Sequence, residues 1–152
     1  MPSERADLIA IDPGAVSGAY AVWGEEGIGV LDLPVVDGQV DAVEFSRAMD
    51  LWKPRAAVVE RVHSMPRQGV ASTFKFGMAV GIIHGVVLAH GVPLHLVNPG
   101  MWKRYFGIGP DKEQARALAT RLYPTVGGLA RKKDAGRAEA LLIGHYWLEK
   151  TK

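Results

Sequence analysis

The chain contains no cysteine, which removes disulfides, thiol nucleophiles and cysteine-ligated zinc from consideration. It has no internal repeat, no low-complexity tract and no linker-like stretch. No apolar run approaches the roughly 20 residues of a membrane span; the longest candidate, Gly77 to Ala89, is interrupted by glycines and His84. The segment Met1-Pro2-Ser3-Glu4-Arg5 lacks the basic-then-apolar shape of a secretory signal, so a cytoplasmic location is the expectation. Net charge is only +2 and by itself names no partner. What is present is 152 residues, 48% of them hydrophobic. That suits one domain, and a chain of this size buries roughly 68–70% of its unfolded surface without staples.

Charge is unevenly spread. Glu25, Glu26, Asp32, Asp37, Asp41 and Glu44 lie in the first third, while Lys103-Arg104, Arg116, Arg121 and Arg131-Lys132-Lys133 lie later. A basic C-terminal half is compatible with a polyanion and equally with a solvated helix surface.

Short apolar segments bounded by Gly and Pro predict strands over 6–12, 18–24 and 27–33, the last two joined by a Gly24-Glu25-Glu26-Gly27 turn. Apolar spacing predicts a helix over 40–51, and residues 55–60 suit a central strand. A loop, His63 to Gly69, precedes a long helix over 72–90, a strand over 92–97 and a short helix from Met101 to Phe106. Asp111 caps a helix to Tyr123, and a final helix runs from about Asp134 to Glu149. Hairpin strands followed by alternating strands and helices, in βββαβαβ order, predict a mixed sheet covered on both faces.

Three places carry acids out of keeping with their surroundings. Asp12 ends the run Leu8-Ile9-Ala10-Ile11 and precedes Pro13-Gly14; Glu60 follows Ala56-Ala57-Val58-Val59; Asp134 and Glu139 lie near the last helix. A buried carboxylate needs a cation, a hydrogen-bond network or a metal. Together the acids suggest a Mg²⁺-binding cluster on a sheet, suited to phosphodiester cleavage. Bland readings stand beside this one: Asp12 as a turn cap, Glu60 leaving for solvent, Asp134 as a helix cap.

Four segments, Ile9-Ala10-Ile11-Asp12-Pro13-Gly14 with Gly18, Val59-Glu60-Arg61-Val62, Asn98-Pro99-Gly100-Met101-Trp102-Lys103 and Gly136-Arg137-Ala138-Glu139-Ala140-Leu141, give the chain a family likeness. In that order it resembles the ribonuclease H-like nucleases, and most closely the RuvC-like Holliday junction resolvases, particularly those of phages. The resemblance implies a five-stranded mixed sheet flanked by helices. It implies a metal-dependent endonuclease acting on four-way and related branched DNA, working in the cytoplasm (of the bacterial host if phage-encoded). Two Mg²⁺ ions per site are expected, with Mn²⁺ able to substitute. Asp12 would bridge both and Glu60 would bind one.

The last helix departs from the family pattern, which has two metal-site residues three apart. Here Asp134 and Glu139 are five apart, which on a regular helix is about 140° of rotation; both are assigned to the site. The resemblance also places Lys103 and Lys112 near the scissile phosphate and the DNA backbone, with Arg104, Lys132, Lys133 and Arg67 as further DNA contacts. His63 falls where relatives carry a loop residue that wedges into the junction, although relatives carry an aromatic there; Met65 is the apolar neighbour. Lastly, Gly77, Gly81 and Gly85 recur on one helix face. Each costs about 1 kcal/mol relative to Ala, so the stripe implies a close approach, either to the chain's own sheet or to a second copy in a homodimer. Three rival functions remain: a nuclease cutting the RNA strand of hybrids, an actin-like ATPase domain, and a DNA-binding module without metals.

Overall fold

The computed structural model describes residues 5–14, 18–62 and 69–152. Five strands form the main sheet: β1 (Leu8–Asp12), β2 (Ala19–Gly24), β3 (Gly27–Asp32), β6 (Ala57–Glu60) and β7 (Leu94–Val97). Their spatial order is β3-β2-β1-β6-β7. The first three are antiparallel hairpin neighbours, whereas β6 runs parallel to both β1 and β7. This is the mixed five-stranded sheet expected from the sequence.

Alternation along the strands divides the core. Leu8, Ala10, Ala21 and Val58 face α5 (Ala135–Lys150) and α4 (Lys112–Leu122), with the buried Trp102 of α3 (Pro99–Phe106) on the same side. Ile9, Ile11, Val22, Ala57 and Val59 face α1 (Ala42–Trp52) and α2 (Val70–Ala89), meeting Phe45, Met49, Ile83 and Val87. A period of two thus sorts one strand's residues into two cores.

The helix ends follow local chemistry. Asp41 accepts from the Glu44 N–H at 3.1 Å to start α1, and Asp111 accepts from the Glu113 N–H at 2.9 Å to start α4. His90 fastens α2 to α1, sharing a 2.8 Å hydrogen bond with Ser46 and lying 3.4 Å from Asp50. At Gly144 a side chain is excluded outright: a Cβ there would lie 2.9 Å from the Ala10 Cβ and inside the Trp23 ring. Helix α5 therefore rests on the sheet with backbone against side chain.

Two features differ from expectation. A two-stranded ribbon, β4 (Val35–Val36) and β5 (Gln39–Val40), follows β3. Its turn, Asp37-Gly38, has positive φ at both residues, 51° and 74°, the geometry that a two-residue hairpin favours. The second concerns α2. It begins at Val70 and is 20 residues long, so length and composition alone would let it cross a membrane, contrary to the shorter, interrupted stretch expected. Glycines and hydroxyl residues scarcely dilute its apolar character, and Lys75 is its only charged residue.

The α2 glycines point away from the sheet. Gly77, Gly81 and Gly85 are exposed, and a Cβ on any of them would meet nothing within 4 Å. Phe74 (70% exposed), Met78 and Leu88 extend the same outward face.

Candidate active site

Asp12 and Glu60 leave the sheet at the same level. Ile11 pairs with Val59 in the parallel β1–β6 ladder, so the next residue of each strand is a carboxylate. Both acids have the parity of Ala10 and Val58 and so point to the α5 side, where Glu139 meets them. Asp12 and Glu139 are both 4% exposed.

The three acids are held differently. Asp12 Oδ1 accepts from the Gly14 N–H at 3.1 Å. Its carboxyl is pushed well above the usual carboxylate range by burial, by hydrogen bonding to Glu139, and by the like charges of Glu139 and Glu60; Lys112 opposes this. Glu60 is raised by burial, while the Trp102 indole, donating to Oε2 at 2.8 Å, works the other way. Lys103 and Lys112 also favour its charged form. Glu139 Oε1 accepts from Lys112 Nζ at 2.6 Å. Burial disfavours the Lys112 ammonium, but Glu139, Asp12 and Glu60 outweigh it and raise its pKa.

Asp134 is elsewhere. It is 2% exposed, at the end of a 3₁₀ turn (Lys132–Asp134). It accepts from the Arg131 N–H at 2.9 Å and from the Arg131 guanidinium at 2.8 Å, with the Arg137 guanidinium 3.6 Å away. The Arg131 hydrogen bond, against the opposing effect of burial, holds its carboxyl below the usual range. Arg137 continues to Asp32 on β3 at 2.9 Å. Asp134 is thus a cap clasped between two arginines and is not gathered with the other acids.

The position that does face Asp12 is Gly136, three residues before Glu139. A Cβ there would lie 3.9 Å from Asp12 Oδ2 and 3.6 Å from the Ala19 Cβ, ordinary contacts that leave room for a side chain. Sequence reasoning passed over it because a glycine offers no ligand; the i, i+3 spacing from Glu139 was the available signal. Trp102, which the sequence offered only as part of the segment from Asn98 to Lys103, anchors Glu60 through its indole.

The remaining sequence candidates are placed as follows. Lys103 Nζ lies 5.4 Å from the centroid of the Trp102 indole, on the Glu60 side of α3. Arg104, Lys132 and Lys133 are exposed. His63, Met65 and Arg67 lie outside the described residues.

Among the described residues no three His, Cys, Asp or Glu side chains stand grouped to hold a metal as placed; Glu139 is engaged by Lys112 and Glu60 by Trp102. The donor set nevertheless suits a hard cation. All donors are carboxylate oxygens, two of them on buried acids in contact with each other, and like charges so close need a proton or a cation between them.

No family model and no curated protein matches the chain. The fold has clear counterparts: it is the ribonuclease H-like fold of the RuvC structures. The Thermus thermophilus RuvC in complex with a Holliday junction substrate superposes with a TM-score of 0.68 at 18% identity, over 95% of this chain and 94% of that one. A second Thermus thermophilus RuvC structure gives 0.62 at 20% identity, over 95% of each chain. The yeast mitochondrial Holliday junction resolvase gives 0.59 at 13% identity, over 97% of this chain and 78% of that one.

Proposed function

We propose that this chain is a RuvC-like, divalent-cation-dependent endodeoxyribonuclease that resolves four-way and related branched DNA by paired phosphodiester hydrolysis. The observation that carries the reading is the convergence of Asp12 and Glu60, at the ends of two adjacent parallel strands, with Glu139 of α5. It gains weight from the fold, shared over nearly the whole chain with a RuvC whose structure holds a Holliday junction.

Asp12, Glu60 and Glu139 would hold the cation, Mg²⁺ or Mn²⁺. When bound, it supplies an activated water and offsets charge on the leaving oxygen. The chain's own residues do the rest. β1 and β6 fix two carboxylates at one level, and Trp102 steadies Glu60. Lys103 and Lys112 place positive charge beside the acids, so an approaching phosphodiester meets cations as well as carboxylates. Asp134 is left out of the ligand set because its two arginines already satisfy it.

A homodimer belongs to the same reading. The outward glycine stripe and the exposed Phe74, Met78 and Leu88 of α2 suit close packing against a second copy, and two copies match two strand cuts on a two-fold junction. Labelled four-way junction, fork, duplex and RNA–DNA hybrid, each with and without Mg²⁺, test the activity. Cation-dependent cutting of the junction in preference to duplex is expected; selective cutting of the hybrid would overturn the DNA assignment. Light scattering tests the dimer, and a monomer at tens of micromolar that stays monomeric with junction DNA would refute it.

A further inference from the structure

Helix α5 carries more than Glu139. Tyr146 follows it by seven residues, which on a helix returns to the same stripe about 10 Å further along. Tyr146 is 7% exposed and forms the floor of a cleft of about 230 Å³, whose other walls are Met101, Arg104, Tyr105 and Lys150. Tyr105, 45% exposed, meets Tyr146 edge-on with centroids 5.3 Å apart. Lys150 Nζ lies 5.3 Å from the Tyr105 ring centre and 5.8 Å from that of Tyr146. Neither Arg104 nor Lys150 pairs with an acid among the described residues.

The cleft is joined to the carboxylates by α3 as well as by α5. On α3, Trp102 turns inward to Glu60, while Met101, Arg104 and Tyr105 line the cleft. An occupant must therefore suit two unpaired cations and a half-exposed ring. An acidic peptide offers only the anion. A nucleic-acid strand offers a phosphate for the cations and a flat base for the ring, the combination on which single strands are held.

We infer that the Tyr105–Lys150 cleft is a nucleotide subsite. It takes one unpaired nucleotide of the strand that passes the carboxylates, with its base on Tyr105 and its phosphate between Arg104 and Lys150. The inference rests on the nuclease reading for the path of the strand.

The test is metal-free binding of a labelled oligothymidylate and of an abasic strand of equal length. Tyr105→Ala should weaken oligothymidylate binding about tenfold and leave abasic binding unchanged, while Tyr105→Phe retains both. Lys150→Ala should weaken both strands and lower the salt slope by about 0.7. Equal loss on the two strands in Tyr105→Ala, or no loss on either, overturns the subsite. Competition by polyglutamate as effective as that by oligothymidylate overturns it too. Because Tyr105 packs on Tyr146 and Phe106, photocrosslinking of an iododeoxyuridine strand to the unaltered protein gives a second measurement. The adduct is expected on Tyr105, and one found only elsewhere is contrary. A wild type that cuts no DNA yet shows Tyr105-dependent binding would sink the nuclease reading and leave the subsite standing.

Discussion

At Asp12 and at Asp134 the chain buries a carboxylate almost completely, 4% and 2% exposed, and the two surroundings are opposites. Asp134 is met by the Arg131 backbone and by two guanidiniums, which hold its carboxyl low. Asp12 is met by a backbone N–H and two further acids, with Lys112 the single ammonium opposing them, and its carboxyl is held high. One surrounding is complete. The other disfavours the ionised carboxyl, the condition in which a bound cation would contribute stability as well as chemistry. Burial of an acid is common to a cap and a metal site; whether the charge is already answered separates them.

The sharpest break of this comparison is Asp12→Asn. It should lower junction cleavage by at least about a thousandfold while junction binding persists, and the melting temperature without metal should not fall, because a repulsion is removed. Substantial turnover at saturating Mg²⁺ would put Asp12 outside the chemistry. Asp134→Ala is the converse. It should cost about 1–3 kcal/mol in denaturant unfolding, since Arg131 and Arg137 lose a shared buried partner, yet leave metal-saturated cleavage within a few-fold.

Adding charge sharpens the contrast further. Gly136→Asp places a fourth carboxylate against Asp12. It should destabilise the metal-free protein and tighten Mn²⁺ binding by about tenfold, read by calorimetry; weaker binding would mean that the corner is closed. The smallest effect belongs to Lys103→Ala, which should lower the slope of log affinity against log salt by about 0.9 on duplex arms. An unchanged slope removes Lys103 from the phosphate contacts.

Much of this arrangement was legible in the chain, for a physical reason. Asp12 and Glu60 each continue the two-residue alternation of a buried strand, so their direction follows from Ala10 and Val58. The five strands and their order along the chain followed from hairpin spacing and from β6 and β7 flanking a long helix. The surroundings of Asp134 were not legible because its partners arrive by a 3₁₀ turn and by a helix reaching across to Asp32, neither of which has a sequence period. Gly136 was passed over because its contribution is space. The direction of the α2 glycines was open in sequence, since a stripe has the same spacing whichever way it turns; the burial of Ile83 and Val87 decides it.

Gly144 has a consequence for the length of the acid at position 139. With no side chain between helix and sheet, α5 is levelled against Ala10 and Trp23, and Glu139, just over one turn earlier, inherits that level. The site then behaves like an instrument on a fixed datum, with the carboxylate's reach as its only vertical adjustment. Raising the datum by one methyl at Gly144 would tilt α5 and carry Glu139 away from Asp12 without altering any acid. A chain so changed would retain its charge pattern and lose its alignment.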